Sequence, residues 1–243
     1  MDICRWIIVK PQAIRWQDWL RYGLWLVMAQ TAFANRQYYH MATTWLPHFL
    51  TNSLSLLLPD ALRLVFPRDY KPVSIIDDTL VTMVRDNPHY AIYVAPLALG
   101  YIVSHPRFNI YKGELAELRA AGFGLDAIPH SATAFGFSAI VEDTLATMCQ
   151  QRTHRGLLAN LVYACGQRSE ATALAALALV TLIWEYGEYR VHEHEMAQRG
   201  DATAINMQWT LDDTIRDIGA NLFGWLAAAL WGRAKRRREA RLD

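Results

Sequence analysis

Residues 87–106 read NPHYAIYVAPLALGYIVSHP, and residues 37–59 read QYYHMATTWLPHFLTNSLSLLLP. Neither stretch contains Asp, Glu, Lys or Arg. A helix rises about 1.5 Å per residue, so crossing a hydrocarbon layer takes ~20 residues. At 20 and 23 residues, these two windows are long enough alone. Four others, 22–35, 127–141, 171–184 and 218–232, hold 14, 15, 14 and 15 residues. They reach spanning length only by taking in flanking charges. Charged, Pro-containing or Gly-containing segments separate the six. The pattern predicts an all-α chain with helices near 18–35, 44–64, 88–105, 125–149, 170–189 and 211–232.

Composition leaves two architectures open. The chain has 243 residues, 53% hydrophobic and 19% charged, with net charge +1. This is too apolar for a disordered chain and too neutral for a broadly basic nucleic-acid binder. Cys4, Cys149 and Cys165 are too few and too scattered for a disulfide scaffold or a structural zinc motif. The mean hydropathy of +0.04 is high for a soluble enzyme and low for a membrane protein. A soluble bundle with buried helices and a polytopic membrane bundle of about six transmembrane helices both fit.

The distribution of basic residues favours the second. With both termini cytoplasmic, segments 1–18, 67–87, 150–170 and 232–243 carry 15 Lys and Arg, and the outer segments carry 6. Arg21, Arg63 and Arg216 fall inside the expected spans. Excess Lys and Arg on the cytoplasmic side is the usual topological bias. Trp16, Trp19, Trp45, Trp209 and Trp231 fall near the expected boundaries, where amphipathic rings are favoured. The chain reads as a single membrane domain over 1–243, with its motif-bearing half at 122–232 and a basic cytoplasmic tail at 233–243. Short amphipathic helices are expected within 67–87 and 112–121. Residues 155–166 are expected to form an interfacial turn or extend the fourth helix. Residues 188–210 read as a polar, irregular outer loop.

Ionisable groups inside spans are expensive unless paired, so they mark candidate sites. Asp126 and His130 are four apart, on one helix face. Asp126 also reads as a helix N-cap. Glu185 and Glu188 share a face at a helix C-terminus, where the macrodipole disfavours negative charge. They need a cation, a donor or a proton, and Arg190 and Arg216 are the nearest candidate cations. Asp213, Asp217, Asn221 and Gly224 form one stripe, with Gly224 and Ala228 permitting close helix approach. Glu142 and Asp143 are expected near the cytoplasmic end, in an ordinary interfacial role.

In the expected topology Asp126, His130, Glu185, Glu188, Asp213 and Asp217 all lie at the outer ends of the last three helices. Two chemistries suit such a group: a divalent metal ion held by oxygen and nitrogen ligands, or a proton-sharing hydrogen-bonded network. His192 and His194 form an HxH pair in the outer loop, and His40, His48 and His105 fall on the same side.

The Asp126-to-His130 segment, the WEYGEY pair, and the stripe Asp213, Thr214, Asp217, Asn221 and Gly224 resemble the VanZ-like superfamily of membrane proteins, in its YjdF-like branch. The order and spacing agree over 122–224. The match departs at Ser131, where that branch has an aromatic residue, and in the long loop 188–210. The resemblance implies an integral membrane protein of the bacterial inner membrane, without implying a defined reaction. Two functions are expected: a metal-dependent enzyme on a lipid-linked or amphipathic substrate, or a non-enzymatic membrane subunit whose buried acids are structural. Membrane lipids are the expected partners, joined in the second case by other membrane-protein subunits, and nucleic acid is not expected.

Overall fold

The computed structural model describes residues 15–39, 45–120, 122–200, 209–239 and 241. Cys4 and His40 lie outside them, as do most of the N-terminal segment and part of the expected outer loop. The protein is all-α and mostly helical. The long helices are α1 (Trp16–Tyr39), α2 (Trp45–Val65), α4 (Tyr90–Ile102), α6 (Ala127–Gln151), α8 (Ser169–Arg199) and α9 (Leu211–Glu239). Shorter ones are α3 (Ile75–Leu80), α5 (Glu114–Glu117) and α7 (Leu157–Gln167). Arg119–Ala120 and Phe123–Gly124 pair antiparallel as a two-stranded hairpin, β1–β2, just before α6.

The six expected helices are present, with shifted ends. α4 has 13 residues, fewer than the expected 88–105, because the chain turns through Ser104, His105 and Phe108. α8 is longer than expected. It runs through RVHEHEMAQR to Gly200, which caps it at φ 66°. The segment expected as an irregular loop is therefore helical as far as Arg199. Its Glu, Met, Ala, Gln and Arg are good helix formers, and polarity alone does not break a helix. Arg152 at φ 45° ends α6, and Gly156 at φ 111° starts a separate helix α7. That replaces both the turn and the extension expected there.

The expected amphipathic helix in 67–87 is α3, which passes into a π-helical turn, Val81–Arg85. Ser74 and Asp77 form a reciprocal capping box at its start. Burial raises the Asp77 pKa, but hydrogen bonds from Ser74, Tyr70 and the Val73 N–H outweigh it and hold the carboxyl well below its usual range. Arg85 donates to the Phe66 and Pro67 carbonyls at 3.0 and 2.8 Å, which closes the C-terminal end of α2.

α6 is the central helix and packs against α4, α7, α8 and α9, most extensively against α9. α1 packs on α2 and α4. The apolar core lies among α1, α2, α4, α6 and α9 and includes Met28, Leu56, Val84, Tyr93, Ala98, Ala139 and Ala228. Glycines set the closest approaches. A Cβ added at Gly136 would overlap the Tyr93 carbonyl oxygen, and one at Gly224 would overlap the Ser131 carbonyl oxygen.

Pro59 lies inside α2 and cannot donate to the Ser55 carbonyl four residues back. Tyr90 OH fills that vacancy, donating to Ser55 O at 2.7 Å. Tyr90→Phe should therefore destabilise the fold by about 1–2 kcal/mol, the cost of leaving a buried carbonyl unsatisfied. In a Pro59→Ala background the restored N–H reaches Ser55 and the penalty should fall below about half of that. A double-mutant cycle by thermal unfolding checks this, and equal penalties in both backgrounds would refute it.

The inward Arg residues have partners that spacing did not reveal. Arg21, 2% exposed, donates to Asp18 at 2.8 Å and to Asp60 at 2.7 Å. Arg63 bridges the same two carboxylates at 3.0 and 3.2 Å. Tyr22 OH adds a bond to Asp60 at 2.9 Å. Two cations and two anions thus form a neutral knot between α1 and α2.

Candidate functional site

The six carboxylate and imidazole groups enter one region from α6, α8 and α9. Asp126 is the N-cap of α6, accepting from Ala127 N–H at 3.0 Å through Oδ1. His130, one turn later, points toward α9. Its Nε2 is 3.6 Å from Asp217 Oδ1, ion-pair range but beyond hydrogen-bond reach. Asp217 is buried at 6% exposure, so the imidazole and the carboxylate meet in an environment of low water content. Glu185 on α8, equally buried, accepts from Thr214 Oγ1 of α9 at 2.6 Å. Asn221 Nδ2 donates to Thr181 Oγ1 at 3.0 Å, one turn deeper on the same α8–α9 seam. Gly224 lets α9 come against the α6 backbone at Ser131 and Phe135.

Glu188 and Asp213 stay at the margin. Glu188 Oε1 accepts from Trp184 Nε1 at 2.8 Å, within its own helix. Asp213 lies in the first turn of α9, where its N–H is capped by Thr210 Oγ1 at 3.1 Å. The expected arginine partners are engaged elsewhere. Arg216 pairs with Asp212, and Arg190 reaches the hydroxyl of Tyr186 at 3.2 Å. A hydroxyl and an indole N–H take their place on the two glutamates. Neutral donors suit this seam, since a charged partner would carry its own desolvation cost.

Among the described residues, no three His, Cys, Asp or Glu side chains converge as a metal centre would require. The reason is visible residue by residue: Glu185 turns to Thr214, Glu188 to Trp184 and Asp126 to its own helix terminus. Only His130 and Asp217 face each other across α6 and α9. His192 and His194 are two apart on a helix and so point to different sides. His192 Nδ1 accepts from Trp209 N–H at 3.3 Å, and His194 contacts Gln198 at 2.9 Å. His48 packs edge-on against Trp184, and His105 stacks on Phe108.

At the other end of α6 the expectation was too modest. Glu142 is 3% exposed, and neither carboxylate oxygen has a hydrogen-bond partner among the described residues. Asp143 accepts from Tyr93 OH at 2.7 Å and from Lys235 Nζ at 3.1 Å. The basic run expected as a tail belongs to α9 through Glu239. Arg233 and Arg236 clasp Glu170 at the start of α8, with Arg236 donating at 2.8 Å.

Beside the polar seam, α6, α9 and the hairpin enclose an apolar groove of about 600 Å³. Phe123, Ile128, Ala132, Phe135, Phe223 and Ala227 line it, and Arg119 and Ser131 stand among them as polar groups. Sequence reading passed over Arg119, which fell without motif spacing in the short helix expected within 112–121; that helix ends at Glu117 and Arg119 lies in β1. The only available signal was a lone cation just ahead of Asp126.

The fold and the seam define an all-α protein in which a buried carboxylate on α9 faces an imidazole on α6, with a second buried carboxylate on α8 and an apolar groove along α6 and α9. Among the described residues one helix, Ser169–Arg199, is long and apolar enough to cross a membrane. Comparison with protein-family models, curated proteins and solved structures found no match.

Proposed function

We propose that this chain is a polytopic membrane bundle that binds an amphipathic molecule at the outer end of α6, α8 and α9. The His130–Asp217 pair is its acid–base centre. The observation that carries the reading is that the half-buried His130 and the buried Asp217 face each other on the same two helices, α6 and α9, that wall the apolar groove. A polar centre that meets an apolar trough on the same two helices suits a ligand with a head and a tail.

Exposure supports the membrane part. Only 22% of the apolar stretch of α8 is buried. Leu179, Leu182 and Ile183 are 59, 63 and 63% exposed, and α9 presents Phe223, Leu226 and Leu230 in the same way. Large apolar surfaces of this kind are rare on water-soluble monomers. Trp16 and Trp19 are exposed at the start of α1, where a membrane interface would receive them. α4 rises only about 20 Å, and it packs against α1, α2 and α6 with Tyr90, Tyr93, Ala98 and Tyr101 buried. The VanZ-like resemblance belongs with this proposal and rests on the stripe from Asp213 to Gly224.

In such a centre the imidazole takes a proton from a hydroxyl or water, and Asp217 stabilises the resulting cation. Glu185, held by Thr214, adds negative potential. A second reading, a divalent-metal-dependent enzyme, is favoured by the approach of Asp217 to His130, with the buried Glu185 on the neighbouring helix. In it His130 and Asp217 would be ligands and the metal would supply Lewis acidity. Elemental analysis of purified protein separates the two. We expect no stoichiometric transition metal, with His130→Ala and Asp217→Asn folded. One equivalent of metal, lost in Asp217→Asn, would establish the metal reading instead. Stoichiometric co-purifying subunits, with amphiphile binding absent, would favour a structural subunit.

A further inference from the structure

We infer that the α6–α9 groove seats the acyl chain of a zwitterionic phospholipid with a primary ammonium, its phosphate on Arg119 and its ammonium on Asp126. The inference rests on the membrane reading above and names the amphiphile for that site.

The tail follows from shape. The groove, at about 600 Å³, lies within the usual range for ligand sites, roughly 300–1,000 Å³. Its walls are side chains of α6 and α9, with little polar surface apart from Arg119 and Ser131. The β1–β2 hairpin adds a third wall at one end through Arg119, Ala120, Phe123 and Gly124, so the groove is an open trough between two helices with a hairpin at its head.

The head follows from charge. Arg119 and Asp126 both flank Gly124, and an added Cβ there would strike the guanidinium and the carboxylate together. Yet the two make no ion pair with each other among the described residues. Arg119 has no hydrogen-bonded partner there either. Asp126 commits only Oδ1, to Ala127 N–H. A cation and an anion held side by side but apart match a headgroup that carries both signs a few ångströms apart. Arg119 is within electrostatic reach of Asp213 but donates to no acceptor among the described residues, and a phosphate is the natural partner of a guanidinium with open donors.

The surrounding charge selects against a purely anionic head. Asp213 and Asp217 stand on the facing helix, and Glu185 and Glu188 on α8. Arg119 lines the groove at its head, whereas His130 is turned to Asp217 on α9 and is not among the lining residues. A lipid with a net negative head would meet more acid than base. A head with its own cation avoids that repulsion. Asp126 offers hydrogen-bond acceptors, which a primary ammonium uses with its three donors. A quaternary ammonium would instead call for a cage of aromatic faces. Gly124 keeps the approach open, since any side chain would fill the gap between the two charged groups.

The test uses the full chain in detergent, with retained lipid read by native mass spectrometry. The probes are dioleoyl phosphatidylethanolamine, phosphatidylcholine and phosphatidylglycerol. Wild type should retain the ethanolamine lipid in preference to both others. Arg119→Gln should weaken that retention roughly tenfold or more, the loss of a charge-assisted contact. Ala132→Trp, which fills the groove, should abolish retention, and Ala227→Phe from the facing wall should do the same if Ala132→Trp misfolds. Asp126→Asn keeps the N-cap and should remove the preference for ethanolamine over choline. Equal retention of all three lipids, a preference for the glycerol lipid, or unchanged retention in Arg119→Gln would overturn the inference. His130→Ala should leave lipid retention intact. Retention intact with no acid–base role for His130 would end the proposed chemistry while leaving this seat standing.

Discussion

Arg21→Ala should destabilise the protein by about 3–5 kcal/mol, the usual result of removing one partner from a buried ionic network. Arg21 is 2% exposed and touches both acids of the α1–α2 knot. It also donates to the Leu56 carbonyl, one turn before Asp60 in the helix that Pro59 interrupts. Without it, Asp18 and Asp60 share the single cation Arg63. One negative charge is then uncompensated between two helices. Thermal unfolding in detergent, monitored by circular dichroism, reads the loss.

Charge accounting makes the prediction sharper. The double variant Arg21→Met, Asp60→Leu removes one charge of each sign. It leaves Arg63 on Asp18, whose contact is 3.0 Å. It should recover well over half of the stability lost in Arg21→Ala, because apolar replacement of a balanced buried pair is often close to neutral. If the double variant is as unstable as the single one, the knot acts through shape and through its bond to Leu56, not through charge balance.

The helices were legible because a charge-free window cannot easily be anything else in a chain this apolar. Six windows predicted the six long helices. Their ends were harder to read. α8 runs on through His192, His194 and Glu195 because helix formation responds to backbone propensity, whereas the reading of a loop responded to polarity. The site was legible as a set of residues at one depth, since spacing of three and four fixes helix faces. Spacing does not fix partners. Glu185 takes Thr214 and Glu188 takes Trp184, choices set by the rotation of α8 against α9. Glu142 looked like an end-of-helix charge because it stands about three turns after His130, near the expected cytoplasmic end of the same helix. It is buried close against Gly232 of α9, where an added Cβ would come within 2.9 Å of Glu142 Oε2. Arg21 and Arg63 looked anomalous alone, and became ordinary once α1 and α2 were placed side by side.

Gly224→Ala and Gly187→Ala should move stability in opposite directions. Both positions lie inside long helices, α9 and α8, so both changes gain helix propensity, about 1 kcal/mol each when nothing else intervenes. At Gly187 nothing lies within 4 Å of the new Cβ, and the gain should appear almost in full. At Gly224 the Cβ would overlap the Ser131 carbonyl oxygen and lie 2.8 Å from Ala134 Cβ and 2.9 Å from Phe135 N. Two of those three atoms are backbone of a central helix and cannot swing aside. α9 must move away from α6, and overpacking of this kind costs roughly 1–3 kcal/mol or more. The consequences extend beyond stability. His130 is on α6 and Asp217 on α9, so their 3.6 Å separation widens as the helices part. The groove shares the same two walls and widens with it. Gly224→Ala should therefore lower the melting temperature and weaken lipid retention together, while Gly187→Ala raises the first and leaves the second unchanged. A stable Gly224→Ala protein with normal lipid retention would show that α6 and α9 do not rest on this contact.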